Sequence, residues 1–309
     1  MHKRLLNEAI LDFTILPDGP ILVKAGDTGA DPTRPDMEFV RTWRNGERVV
    51  YLPGSSLKGV IRSHCERIVR TVGEGRSCNP VVKGKSCVDM HKLKQEHDGP
   101  HVHKHSCFIC QMFGNTVLAG RVRTADAYPV GEIRTEERNG VAIDRVFGSV
   151  AVGPFQMEVV TSGEFKTKIA IRNFTIAQLG LLALALRDLK LGRVGVGFGK
   201  SRGLGHVTLE WGTLTVRYTR TPGDRRRLDG VAYLLGKDEA EKYGYVTGDG
   251  APFGYTSVDQ DVSNPLPGLA LEENDWGEWE LTATDGQVED VWKTCIPAWR
   301  AAIRLEGGA

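Results

Sequence analysis

The sequence predicts an α+β fold. Two helical patterns, at residues 55–72 and 176–189, are embedded among strand-like runs, and a glycine loop separates the second helix from a closing strand at 206–218. Strand, helix, strands, helix, glycine loop, strand is the order of a ferredoxin-like βαββαβ core. Three additions surround it: a Cys/His-rich insertion at 73–118, a long excursion at 131–168 and a C-terminal extension at 220–309.

Residues 9–16 form the first strand, with Ile10, Phe13 and Ile15 apolar. Residues 21–25 extend it beyond a turn, and 26–36 is a loop rich in Gly, Pro and Asp that carries Asp27, Asp31 and Asp36. A hairpin about Asn45-Gly46 joins extended runs at 37–42 and 48–52. The first helix follows Pro53-Gly54, with Ser55 as the expected N-cap. Leu57, Ile61, Cys65, Ile68 and Val72 share one apolar face of it. Lys58 stands where a capping box would place Glu or Gln, so the positive end of the helix meets a cation and suits an anion such as phosphate. An ordinary capped helix with solvated Lys58 and Arg62 is the competing reading.

The insertion has few aliphatic residues and no sustained periodicity. It holds Cys78, Cys87, Cys107 and Cys110, with His91, His97, His101, His103 and His105 among them. Four soft ligands, two of them in a C-x-x-C pair, meet the requirement of a closed structural zinc site. Metal-binding energy would then replace the missing apolar core. A histidine such as His105 in place of one cysteine, or reduced thiols in a flexible loop, stay open. Cys65 and Cys295 are expected to be structural.

Residues 118–128 alternate like a strand, and runs at 155–161 and 164–172 are expected to form a hairpin about Ser162-Gly163. The helix at 176–189, started by Asn173 or Thr175, is apolar on nearly every face and is expected to be buried. Residues 192–205 hold six glycines, with Arg193, Lys200 and Arg202 among them. Gly199-Lys200-Ser201 is not a P-loop: Val194 stands where its first glycine belongs, and the segment follows a helix rather than a strand. Its backbone N–H groups can approach a phosphate chain closely. A final helix at 288–304 is expected to break at Pro297.

The net charge of +1 does not announce a polyanion partner, but 193–227 is basic and 272–290 acidic. With no secretory h-region and no apolar run long enough to span a bilayer, a cytoplasmic protein without membrane contact is expected. Six cysteines are too few for a disulfide scaffold.

The segment Pro53-Gly54-Ser55-Ser56-Leu57-Lys58-Gly59, together with Ile143-Asp144-Arg145 and the loop at 195–205, resembles the RAMP superfamily of CRISPR-associated proteins. Over residues 8–215 it is most similar to the backbone subunit of type III effector complexes, some of which carry a zinc insertion. The resemblance implies an RRM-type core in which copies of the subunit and other effector subunits line up along a CRISPR RNA. It further implies that Ser55, Ser56, Lys58, Arg62, Arg145, Arg193, Lys200 and Arg202 contact the guide. The thumb-like hairpin would wedge Ile143, Val146 and Phe147 into the guide–target duplex. An aspartate of the first loop would carry endoribonuclease cleavage of the target RNA, either as a base or by holding Mg²⁺. Asp36 best fits the position, ahead of Asp31 and Asp27. Two alternatives remain: an inactive structural subunit, or a nuclease that processes precursor guide RNA through a histidine such as His2, His64 or His206.

Overall fold

The computed structural model describes residues 4–26, 34–73, 76–96, 98–248 and 251–303. The strands are β1 (Asn7–Pro17), β2 (Arg41–Arg44), β3 (Glu47–Val50), β4 (Val122–Thr124), β5 (Tyr128–Ile143), β6 (Val150–Arg172), β7 (Val207–Tyr218), β8 (Glu272–Glu273) and β9 (Trp279–Thr284). The α-helices are α1 (Gly54–Val72), α2 (Cys87–Met90), α3 (Gly99–Lys104), α4 (Phe108–Phe113), α5 (Ile176–Lys190), α6 (Val231–Leu235), α7 (Lys237–Tyr243) and α8 (Gly286–Ala302). The class is α+β, built on an antiparallel sheet.

Strands pair in the order β4-β6-β1-β7-β9-β8, with β5 added to the far part of β6, while β2 and β3 form a separate ribbon. Along the chain, β1, α1, β4, β6, α5 and β7 follow as strand, helix, strand, strand, helix, strand. Helix α1 buries Leu57, Ile61, Cys65 and Val69. The expected stripe drifts by one residue at its end: Val69, four residues beyond Cys65, is buried where Ile68 was expected, and Ile68 and Val72 are only half-buried. Helix α5 packs between α1 and α8, which explains an apolar surface all round. Thr175 closes its N-terminus with a capping box through Gln178.

Two expectations fail here. Residues 155–172 make no hairpin, because Ser162-Gly163 lies inside the continuous strand β6. The irregularity belongs to the partner strand, where register shifts on either side of Arg134 crowd Ile133 against Gly163. A Cβ on Gly163 would sit 2.2 Å from Ile133 Cδ1, so the glycine serves a bulge rather than a turn. Helix α8 also runs through Pro297 without ending there.

The extension beyond residue 220 joins this sheet, since β9 pairs with β7 and α8 covers α5. Asp261, fully buried, accepts the N–H groups of Ile176 (2.7 Å) and Ala232 (2.8 Å), tying the starts of α5 and α6 together. Burial pushes its carboxyl up to about 7. No helix among the described residues is long and apolar enough to cross a membrane.

Candidate nucleic-acid interface and metal centre

The insertion folds around its cysteines. Cys107 caps α4, Cys110 lies one turn inside it, Cys87 starts α2 and Cys78 comes from the preceding loop. Their four Sγ atoms lie within 4.8 Å of one another, and Cys78 and Cys110 are 3.6 Å apart. A tetrahedral zinc with Zn–S bonds of about 2.3 Å needs sulfurs about 3.8 Å apart, so four buried thiols at these separations fit a structural zinc. His105 is not in the cluster; it stacks on His101 instead. Cys65 and Cys295 are buried thiols, and burial pushes Cys295 up to about 12, as expected of structural residues.

Helix α1 grips this cluster. Arg62 donates to the Gly114 carbonyl (3.0 Å) and to Glu66 (3.0 Å), and its third nitrogen lies 3.8 Å from Cys110 Sγ. Arg70 donates to the Cys78 carbonyl at 2.7 Å. Arg62, expected on the guide, therefore faces the thiols, and its hydrogen bonds to neighbouring groups hold it there.

The first turn of α1 differs from expectation. Pro53 occupies the N-cap position, and the Gly54 N–H is taken by Asp126 Oδ1 at 2.7 Å, from 72 residues downstream. Ser55 and Ser56 lie within the first turn, Ser55 exposed. Lys58, half-buried, has no hydrogen-bonded or ionic partner among the described residues. Burial lowers its pKa, and the nearby Arg62 and Arg123 lower it further. An amine with cations around it and no carboxylate partner among the described residues sits in a field that favours an anion.

The long β5–β6 hairpin starts just after Ala127, which bridges Leu52 on the approach to this turn. Its tip exposes Ile143 (63 %), Val146 (82 %) and Phe147 (82 %), an apolar group with nothing packed over it. Asp144 shapes the tip by accepting the N–H groups of Val146 (2.6 Å) and Phe147 (3.2 Å), leaving Arg145 exposed. Further down the hairpin, Asp36 Oδ2 accepts the Gln156 N–H at 2.8 Å, while Met37 bridges Met157. Two residues on, Arg41 of β2 forks onto Glu158, one bond being 2.6 Å, and Glu158 also takes the Phe39 N–H at 3.0 Å. Burial opposes ionisation of Glu158, but Arg41 and that N–H more than offset it and hold its carboxyl below the ordinary glutamate range. The first loop is thus clamped to the hairpin, with Asp36 exposed on it. Asp27 and Asp31 lie outside the described residues, as does His2.

The glycine loop has a structural explanation of its own. Phe198 N donates to the Leu22 carbonyl (2.7 Å) and Gly205 N to the Pro20 carbonyl (2.8 Å). A Cβ on Gly197 would lie 2.2 Å from the Leu22 oxygen. Its glycines let it lie flat on residues 20–22. Its cations remain outward: Lys200 and Arg202 are exposed, and Arg202 covers the Phe198 ring. Arg193 reaches Asp188 at 3.1 Å but stays largely in solvent. Asp188 also receives His64 Nε2 at 2.8 Å, so His64 is held in a structural contact, whereas His206 is exposed.

Sequence reasoning missed Asp126, the Arg41–Glu158 clamp and the turn of Arg62 toward the thiols. All three join residues far apart in the chain, and none leaves a local pattern. The family model of the RAMP superfamily matches residues 17–208, more than half of the chain. No curated protein matches the sequence. The matched span takes in α1, the insertion, the hairpin and the glycine loop; the chain belongs to the RAMP superfamily of CRISPR-associated RNA-binding proteins.

Proposed function

We propose that this chain is a guide-RNA-binding backbone subunit of a type III CRISPR complex and that it cleaves target RNA paired to the guide. One combination carries the reading. The chain carries an uncompensated Lys58 on α1, an exposed apolar tip on the β5–β6 hairpin and an exposed Asp36 clamped to that hairpin.

In this reading, Lys58, the first-turn N–H groups of Ser55 and Ser56, and the loop cations Lys200, Arg202 and Arg193 hold guide phosphates, while Arg145 joins them from the hairpin. Such contacts grip the backbone without reading bases, and pairing to the guide supplies specificity. Ile143, Val146 and Phe147 insert between base pairs and push a target nucleotide out of the stack. Its ribose 2′-oxygen is then free to line up with the adjacent phosphorus. Asp36 takes the 2′-OH proton, the 2′-oxygen bonds to phosphorus and the 5′-oxygen leaves with a proton from solvent, giving a 2′,3′-cyclic phosphate and a 5′-hydroxyl.

The step as written needs only Asp36 and solvent; a Mg²⁺ held by Asp36 would instead stabilise the charge that develops on the phosphate. Zinc would be held by Cys78, Cys87, Cys107 and Cys110 and would stabilise the insertion rather than act on RNA. Further copies of the chain and other effector subunits are its expected neighbours along the guide. Cleavage of guide-complementary RNA by an assembled complex, with Asp36 altered, tests the proposal. A purely structural subunit would show no cleavage to lose.

A further inference from the structure

A cavity of about 260 Å³ opens beside the edge strand β4, and four of its seven lining residues are arginines: Arg4, Arg121, Arg123 and Arg172. Two of these charges are answered within the protein. Arg4 pairs with Glu239, and Arg172 pairs with Glu8. The other two have no carboxylate among the described residues. Arg121 is only 4 % exposed, yet its partners are neutral: the Asn173 carbonyl (2.8 Å), His103 Nε2 (2.8 Å) and the ring of Tyr245. Arg123, next but one in the chain, is exposed and has no partner there.

A buried guanidinium without a counter-ion is costly, and such groups are ordinarily paired or face a ligand. Lys58 adds to the imbalance. Its Nζ lies 3.1 Å from where a Cβ on Gly120 would stand, and Gly120 lines the same cavity. Three cations without carboxylates therefore converge on the segment 120–123. The absence of a Cβ at Gly120, which would also lie 2.5 Å from the Phe113 oxygen, lets that segment run between α4 and the lysine.

We infer that this cavity binds a phosphate group between Arg121 and Arg123, with Lys58 behind it. The volume is several times the roughly 30 Å³ share of one water, enough for a phosphate that keeps part of its hydration. Guanidinium forks match phosphate oxygens, so the chemical class follows from the donors. The inference rests on the RNA-binding reading for its preferred source, a backbone phosphate of bound RNA, and it extends the contact surface from α1 across the edge of the sheet.

Arg123→Ala is the variant of choice, because Arg123 is exposed and its loss leaves the buried contacts of Arg121 intact. The full chain and this variant are titrated with single-stranded RNA across a range of salt. The variant should bind about tenfold more weakly at low salt, with a salt slope shallower by about 0.7 to 1, while Arg123→Lys recovers most of the affinity. If the wild type binds RNA and Arg123→Ala keeps both its affinity and its slope, the cavity does not hold an RNA phosphate. In a second arm, thermal unfolding compares inorganic phosphate with chloride at equal ionic strength. Stabilisation by phosphate that disappears in Arg123→Ala supports the site even if the wild type fails to bind RNA, a result that would sink the RNA reading alone. Stabilisation that persists in RNA-saturated protein identifies a free anion as the source. No difference between wild type and variant in either arm overturns the inference.

Discussion

Arg62 of α1 points a guanidinium nitrogen at Cys110 Sγ, 3.8 Å away, and joins the helix to the cysteine cluster. The same side chain holds Glu66 and the Gly114 carbonyl, so with Arg70 on the Cys78 carbonyl it positions the insertion against the helix. A cation beside a metal-bound thiolate helps balance its charge, and such outer partners typically change metal affinity about 10- to 100-fold. Purified protein should contain about one zinc per chain. Arg62→Ala should weaken zinc binding about tenfold or more in a chelator competition. A chain that folds fully without zinc, or an Arg62→Ala variant with unchanged zinc affinity, would remove this part of the account.

The cysteine cluster was legible because a ligand set shows as residue identity in a stretch that lacks any other core. The two main helices were legible because a one-sided or all-round apolar pattern over four or five turns has few other solutions. The cap of α1 was not. Ser55 has the right chemistry beside Pro53-Gly54, but Asp126 reaches the Gly54 N–H from the far side of the insertion, and nothing local marks it. Ser162-Gly163 reads as a turn for a similar reason. Glycine serves turns and bulges alike, and only the partner strand, with Ile133 pressed against Gly163, decides between them. Asp36 follows from its position in the first loop, while its clamp to Gln156 depends on a strand 120 residues away.

The tip of the hairpin offers a test that separates folding from function. Val146 and Phe147 are largely exposed in the free chain, so truncating both to Ala should change stability by no more than about 0.5 kcal/mol. In an assembled complex carrying 2-aminopurine in the guide–target duplex, the wild type should give bright, unstacked signals where the tips insert. The double variant should dim them. Equal brightness in both would mean that the tip does not wedge the duplex.

Glu8 makes a prediction about pH. It is buried in the centre of the sheet between Arg172 and Arg217, the latter donating to it at 2.8 Å. Burial opposes its ionisation, and the two guanidinium hydrogen bonds more than offset that, leaving its carboxyl below the ordinary value of 4.5. A depressed carboxyl contributes stability that is complete above the unfolded-state pKa and is lost as the pH falls through the folded-state one. Urea unfolding should therefore show Glu8→Gln less stable than wild type at pH 7, by about 3 kcal/mol for a broken buried pair. The gap should narrow as the pH drops below about 4.5. A gap that stays constant down to pH 2 would show that the charge of Glu8 is not what holds the two arginines.

The most direct measurement is target-RNA cleavage by a complex assembled with Asp36→Asn. Asparagine keeps an oxygen to accept the Gln156 N–H, so the clamp on the hairpin survives, and only the charge and the base are lost. Asp31→Asn and Asp27→Asn serve as controls. With guide and target binding unchanged, cleavage should fall by at least about 100-fold in the Asp36 variant, the scale of a lost general base, and persist in the controls. Cleavage at the wild-type rate by Asp36→Asn would contradict the assignment.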